Sequence, residues 1–153
     1  MELKTKVTAE EGKQDLVITR EFELPVELLF KAYTEANLIE QWMNTSVVEL
    51  NNNRNGFYLF ETTDPKGNKM KFRGSIHEFI PNKQIIRTFE FEGMPFGVQL
   101  EILDFIAISD DRCFLKMHSI FQSIEHRDQQ LKLPFAYGIS MAHNKLEEII
   151  KQS

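Results

Sequence analysis

The spacing of apolar residues changes along the chain and predicts helices at both ends of a long β-rich stretch. Leu16–Phe22 is rich in β-formers and predicts a strand. Pro25 suits the first position of a helix, where its missing N–H has little cost. The residues after it follow helical spacing: Val26, Leu29, Phe30 and Tyr33. A second short helix is predicted around Leu38, Ile39 and Trp42.

The middle of the chain predicts an antiparallel meander. Turns rich in Gly, Asn, Asp and Pro recur at short intervals, and these residues favour turns because they tolerate positive φ or fix φ. The β-rich segments between the turns are 46–51, 56–63, 69–80, 84–92, 97–108 and 112–122. Short turns between consecutive strands favour antiparallel pairing.

The last part of the chain returns to helical spacing. Ser123 is a candidate cap for a short helix through 125–132, and Pro134 precedes a longer one. The predicted apolar stripe of that longer helix is Phe135, Gly138, Ile139, Ala142, Leu146, Ile149 and Ile150. The element order predicts one α+β domain over residues 1–153. In it, a curved antiparallel sheet of six to seven strands, with two short helices, closes over a long C-terminal helix.

Composition narrows the function classes. The chain of 153 residues carries a net charge of −5, which argues against a nucleic-acid partner. No apolar run approaches the roughly 20 residues that span a bilayer, so no membrane partner is expected. The N-terminus lacks the apolar core of a signal peptide, and the single cysteine, Cys113, excludes an internal disulfide. A cytoplasmic location is therefore expected.

Three stretches resemble a known superfamily. They are Ala9–Phe22 (AEEGKQDLVITREF), Phe72–Pro81 (FRGSIHEFIP) and the group Glu125, Arg127, Asp128, Gly138, Leu146, Glu147 and Ile150. With them the chain resembles the START-like (SRPBCC) superfamily, and within it the bacterial homologues of the C-terminal domain of the heat-shock-90 ATPase activator. The resemblance implies a helix-grip fold. Members include ligand carriers, polyketide cyclases and lipid-transfer domains.

A curved sheet closed over one helix is expected to leave an apolar cavity. Thirteen Phe residues fit an aromatic-lined cavity, and they also fit a filled core. The predicted cavity lining is Trp42, Tyr58, Phe60, Phe72, Ile76, Phe89, Phe91, Met117, His118, Phe121, Phe135, Ile139 and Ala142. Segment 123–134 and the turn from Gly93 to Gly97 are the expected gates.

The histidines are the main candidates for chemistry. His118 lies mid-strand: facing the cavity it would be a hydrogen-bonding group or general base, with Glu101 or Asp104 as partner, and facing outward it would be inert. His143 and Glu147 have i, i+4 spacing, which predicts a helix-surface pair rather than a metal site. No metal, cofactor or catalytic residue is predicted, since no His/Cys cluster or nucleophile motif is present.

The sequence therefore predicts a binding module for a small hydrophobic or amphipathic ligand. A cyclase- or hydrolase-type enzyme using His118 is one alternative. A protein-interaction domain with an exposed apolar patch is the other. A weak homodimer is left open. A chaperone partner is not expected, since no partner domain is attached.

Overall fold

The computed structural model describes residues 3–153, which form eight strands and four helices. Met1 and Glu2, at the start of the predicted domain, lie outside the described residues. In chain order the elements are β1 (Lys6–Thr8), β2 (Asp15–Phe22), α1 (Val26–Thr34), α2 (Ala36–Met43), β3 (Ser46–Leu50), β4 (Phe57–Thr63), β5 (Lys69–Ile80), β6 (Gln84–Phe91), β7 (Val98–Ser109), β8 (Arg112–Ile120), α3 (Ile124–Leu131) and α4 (Phe135–Lys151).

The strands form one antiparallel sheet in the order β1-β2-β8-β7-β6-β5-β4-β3. The predicted α+β fold is confirmed, and the strand count is one higher than the upper end of the prediction. The added strand is β1, which is only three residues long and pairs with β2 through Lys6 opposite Thr19. Three residues are too few for alternation to identify a strand, so β1 depends on pairing with a distant segment.

The sheet has an inner face that packs on the helices and an outer face turned to solvent. Burial alternates along β2, β7 and β8, as expected when one face of a sheet is covered. Helix α1 packs its apolar side on the inner face, where the Phe30 ring meets Phe105 at 4.9 Å and Phe79 at 5.3 Å. Trp42 joins α2 to α1, since its Nε1 donates to the Ala32 carbonyl at 2.7 Å.

Two apolar clusters lie between the inner face and the helices. The first cluster is Leu16, Ile18, Phe22, Leu24, Val26, Leu29, Phe30, Ala32, Tyr33, Trp42, Ile85, Leu103, Phe105, Cys113, Leu115, Met117, Phe121, Leu146 and Ile150. The second cluster, beside β4 and β5, is Ile39, Tyr58, Phe60 and Ile76. Met43 and Phe79 pack against both clusters. The core is therefore divided, and the division falls along the middle of the sheet.

The long helix α4 packs its predicted apolar stripe on the first cluster, but the face that it buries is wider than the stripe and includes polar residues. Leu146 and Ile150 are buried as expected, but Gly138 is exposed. Ser140, His143 and Glu147 are buried as well. The predicted helix-surface pair of His143 and Glu147 is therefore wrong. Both polar side chains face the core because Thr5, β2 and α1 supply them with partners.

Two glycines provide a test of the packing, because Gly74 is crowded by its neighbours and Gly138 is not. A Cβ at Gly74 would lie 1.9 Å from the Thr88 carbonyl oxygen and 2.7 Å from the Tyr58 hydroxyl, whereas a Cβ at Gly138 would meet nothing within 4 Å. We expect Gly74→Ala to lower the free energy of unfolding by about 3 kcal/mol or more. Gly138→Ala should raise it by about 0.5–1 kcal/mol, because alanine favours the helix. Urea unfolding measures both, and equal effects would contradict this packing.

Candidate ligand site

Three polar side chains form a strip across the inner face, between the two apolar clusters. Ser119 of β8 is the register partner of Glu101 of β7, which is the register partner of Arg87 of β6. The same row continues to Leu16 of the first cluster on one side and to Ile76 of the second on the other. Ser119, Glu101 and Arg87 are called the polar strip below.

The centre of the polar strip is a buried ion pair. Arg87 Nε donates to Glu101 Oε1 at 2.9 Å, and the two side chains are 12% and 9% exposed. The guanidinium lies over the ring of Tyr58, 4.7 Å from its centroid. Burial alone would lower the pKa of Arg87, but the neighbouring Tyr58 and Glu101 raise the pKa above its ordinary value. Arg87 is therefore a cation at any physiological pH.

Several polar atoms of this strip are not satisfied by the protein. Among the described residues that are not exposed, Arg20 Nε is the only side-chain nitrogen or oxygen both sealed from water and unbonded. The Nη atoms of Arg87, Oε2 of Glu101 and Oγ of Ser119 have no hydrogen-bond partner in the described chain. They must therefore reach a water-sized space, although Ser119 is only 3% exposed and Glu101 only 7%.

Helix α3 lies beside the same strip. Gln99 of β7 donates from Nε2 to Oε1 of Gln130 on α3 at 2.6 Å, and both residues are buried. Arg127 fixes the outer side of α3, donating from Nη1 to the carbonyls of Glu10 at 2.6 Å and Asp15 at 3.1 Å. Ser123 caps the helix by accepting from the His126 N–H. Side chains and distant backbone, rather than apolar packing alone, therefore hold α3 in place.

A second buried network joins α4 to α1 and to the N-terminal segment. His143 shares hydrogen bonds with Thr5 Oγ1 at 2.9 Å through Nδ1 and with the Tyr33 hydroxyl at 2.7 Å through Nε2. Arg20 donates to Asn144 Oδ1 at 2.6 Å and lies 3.9 Å from Glu147 Oε2. Burial and the positive charge of Arg20 lower the pKa of His143 to about 3. His143 is therefore neutral, and its two hydrogen bonds hold α4 against α1 and the N-terminal segment.

The predicted lining residues fall on both sides of the polar strip. Tyr58, Phe60 and Ile76 belong to the second cluster, and Phe72 and Phe89 pack against it. Trp42, Met117 and Phe121 belong to the first cluster, with Phe135, Ile139 and Ala142 packed against it. Phe91 meets Phe72 at 4.5 Å and Phe96 at 6.1 Å. Apart from Phe91 and His118, the predicted residues therefore divide between the two apolar clusters, which form an apolar wall on each side of the polar strip.

Several of the predicted lining residues are only partly shielded from solvent. Phe72, Phe89 and Phe91 follow the inner-face register of β5 and β6, yet all three are only half-buried. Phe135 and Ile139, on the first turns of α4, are half-buried as well. Inner-face aromatics in a fully packed core would be buried. The uncovered rings lie beside the polar strip, where the open polar atoms are found.

The placement of His118 in the cavity is wrong. Its neighbour Met117 points inward, so alternation along β8 turns His118 to the outer face. There its Nε2 lies 2.8 Å from Asp15 Oδ2, and this hydrogen bond lowers the pKa of Asp15. Neither predicted partner pairs with it, since Glu101 binds Arg87 and Asp104 accepts from Gln84.

The sequence did contain a signal for the missed polar strip. In β6 the residues Ile85, Arg87, Phe89 and Phe91 alternate with outward residues, so one charge stands in an apolar row. In β7 the inner row is Gln99, Glu101, Leu103 and Phe105. A charge in the apolar row of two adjacent strands predicts a buried pair, provided that the register is known.

Open surface hollows lie elsewhere. One, of about 400 Å³, is lined by Lys4, Arg20, Asn144, Glu147, Glu148, Lys151 and Gln152. Another, of about 390 Å³, adjoins Val98, Leu100 and Ile120. Neither contains a residue of the polar strip. Within residues 3–153 no three His, Cys, Asp or Glu side chains gather as a metal site, and no helix there is both long and apolar enough to cross a membrane.

Residues 23–151 match the family model described as activator of Hsp90 ATPase homolog 1-like protein. The chain belongs to this family. The matched range contains the polar strip, most of both clusters and all four helices. The family assignment agrees with the START-like resemblance of the sequence. No curated protein is similar enough in sequence to count as a relative.

Solved structures share the fold of this family member. A crystal structure from Rhodobacter sphaeroides has a TM-score of 0.83 and 19% identity, covering 96% of this chain and 99% of its own. A solution structure from Arthrobacter aurescens has a TM-score of 0.86 and 14% identity, covering 97% and 92%. A crystal structure from Nitrosomonas europaea has a TM-score of 0.79 and 21% identity, covering 94% and 97%. At these identities the likeness establishes the fold alone.

The neutral His143 predicts a loss of stability in acid. Its pKa is about 3 in the folded protein against an ordinary 6.5, so below pH 6.5 the unfolded chain binds a proton that the folded one does not. The stabilisation is full above 6.5 and falls by about 1.4 kcal/mol per pH unit toward the folded pKa. Urea unfolding at several pH values should show this slope reduced in His143→Leu. An unchanged slope would contradict the assignment.

Proposed function

We propose that this chain binds a small hydrophobic or amphipathic molecule between the sheet and α4, at the polar strip. The observation that carries the proposal is the set of open polar atoms on Arg87, Glu101 and Ser119, which lie between two apolar walls. Buried donors and acceptors without partners destabilise a protein, so such atoms are ordinarily bonded to water or to a ligand. A mostly apolar site with a few polar groups is the usual form of a small-molecule site.

The binding energy would come from covering the half-buried rings of Phe72, Phe89 and Phe91. Covering apolar surface contributes about 25 cal/mol per Å², and aromatic rings offer large areas at low entropic cost. The polar strip would fix the orientation of the ligand. The ligand therefore needs an apolar body with at least one polar group at its end or edge.

Access would pass the end of the sheet where α3 meets the turn before β7. Phe96 of that turn is 3% exposed and lies beside the Phe91 ring, so its side chain closes this end. Gly97 has a φ of +67°, and a Cβ there would lie 2.3 Å from Gln122 Oε1 and 2.9 Å from His126 Cδ2. Opening would require this turn and α3 to separate.

The proposal predicts that two phenylalanine substitutions differ in how much stability they cost. Phe22→Ala removes a fully buried ring of the first cluster and should cost about 3–5 kcal/mol of unfolding free energy. Phe91→Ala removes a half-buried ring and should cost only about 1–2 kcal/mol. We expect wild-type protein to bind the neutral dye Nile red with a blue-shifted emission, and Phe91→Ala to weaken that binding about tenfold.

Fluorescence titration and urea unfolding measure the two effects. Phe57→Ala is the matched control, because Phe57 is 47% exposed and faces outward. It should leave dye binding unchanged. A wild-type protein that binds no dye, and shows no co-purified small molecule in native mass spectrometry, would contradict the proposal.

Protein binding is the second candidate function, because the outer face exposes apolar side chains along β7. These are Val98 at 41%, Leu100 at 39%, Ile106 at 46% and Ile108 at 51% exposure. Runs of exposed apolar surface often mark protein contacts. The enzyme alternative loses its first suspect, since His118 faces away from the candidate site.

A pull-down with purified Hsp90 distinguishes the two candidate functions, ligand binding and protein binding. If the chain binds the chaperone through β7, immobilised wild-type protein should retain Hsp90 and Leu100→Asp should not. Phe91→Ala should then retain it normally, because its ring lies on the inner face. Absence of retention by the wild-type protein would remove this candidate.

A further inference from the structure

The positive and negative charges of the polar strip already compensate each other before any ligand enters. Arg87 and Glu101 are paired at 2.9 Å, and the nearby hydroxyls of Tyr33 and Tyr58 stay neutral because burial raises the pKa of each. The other inward arginine, Arg20, has its own carboxylate in Glu147. A charged ligand would therefore bring an unmatched charge into a mostly apolar space.

The open atoms of the strip offer donors and acceptors side by side. The Nη atoms of Arg87 donate, Oε2 of Glu101 accepts, and Oγ of Ser119 does both. A ligand carboxylate would accept from Arg87 but would face the negative Oε2 of Glu101. An ammonium group would meet the reverse conflict with Arg87. Like charges brought together away from water cost several kcal/mol.

We infer that the site selects ligands whose polar group is uncharged and both donates and accepts hydrogen bonds, such as a carboxamide, and that it rejects the matching carboxylate. This inference rests on the proposed function and names the ligand class for that site. A carboxamide can accept from Arg87 through its oxygen and donate to Glu101 through its NH₂. An apolar ring attached to it would then lie against Phe72, Phe89 and Phe91.

Three probes with one ring system test the inference. They are naphthalene-2-carboxamide, naphthalene-2-carboxylate and methyl naphthalene-2-carboxylate, titrated by calorimetry at neutral pH. The amide should bind about tenfold or more tighter than the carboxylate, because binding the anion leaves a buried like-charge contact. The ester should fall between them, since it accepts from Arg87 but has no hydrogen to donate to Glu101.

Glu101→Gln should reverse the preference. It keeps the shape of the side chain but leaves Arg87 as an unmatched buried cation, so the affinity of the carboxylate should gain about a hundredfold relative to that of the amide and the carboxylate should become the tighter ligand. Glu90→Gln is the matched control. Glu90 lies on β6 and pairs with Arg73 of β5 at 3.0 Å, but this pair is exposed on the outer face. It should leave all three affinities unchanged.

The outcomes separate the inference from the proposed function. Carboxylate binding as tight as amide binding in the wild-type protein overturns the inference and leaves the proposed function standing. Failure of all three probes in protein that still binds Nile red also overturns it. Failure of the probes and of the dye together overturns the proposed function. Should Glu101→Gln not fold, the order of the three wild-type affinities still supports or overturns the inference.

Discussion

Two arginines point inward from the sheet, and the compensation of their buried charges organises the rest of the structure. Removing an ion from water costs several kcal/mol unless a partner is held close to it. Arg20 finds its partners on α4, in Asn144 and Glu147, so its charge fastens the helix to the sheet. Arg87 finds its partner on the neighbouring strand, in Glu101, so this pair is complete within the sheet. Arg20 therefore stabilises the packing of α4 on the sheet, whereas Arg87 keeps its Nη atoms without a protein partner.

The fold followed from the spacing of apolar residues to a large extent. The strands from Leu16 onward and all four helices lie close to their predicted places, because alternation and helical stripes are local properties. The exceptions depend on distant partners. The strand β1 exists through its pairing with β2, and the buried face of α4 includes His143 because Thr5 and Tyr33 bond to it. Neither dependence is visible in a local window of sequence.

The candidate site was harder to predict than the fold. Its apolar walls follow from the aromatic residues of β4, β5 and β6, which alternation assigns to one face. The polar strip does not, because Arg87, Glu101 and Ser119 become neighbours only when three strands take a particular register. His118 shows the opposite case: strict alternation already turns it away from Met117, so one rule applied consistently would have placed it correctly.

The hydrogen bonds from Arg127 to the carbonyls of Glu10 and Asp15 have a consequence for the motions of the chain. These contacts join residues more than a hundred positions apart in sequence, 117 and 112 respectively. Local opening in proteins tends to involve whole cooperative segments rather than single bonds. We therefore expect the 10–15 turn and α3 to open together, so that their backbone amides have similar free energies of opening in hydrogen exchange. Under the proposed function, release of a ligand past α3 would then also require opening of the 10–15 turn, which does not line the candidate site.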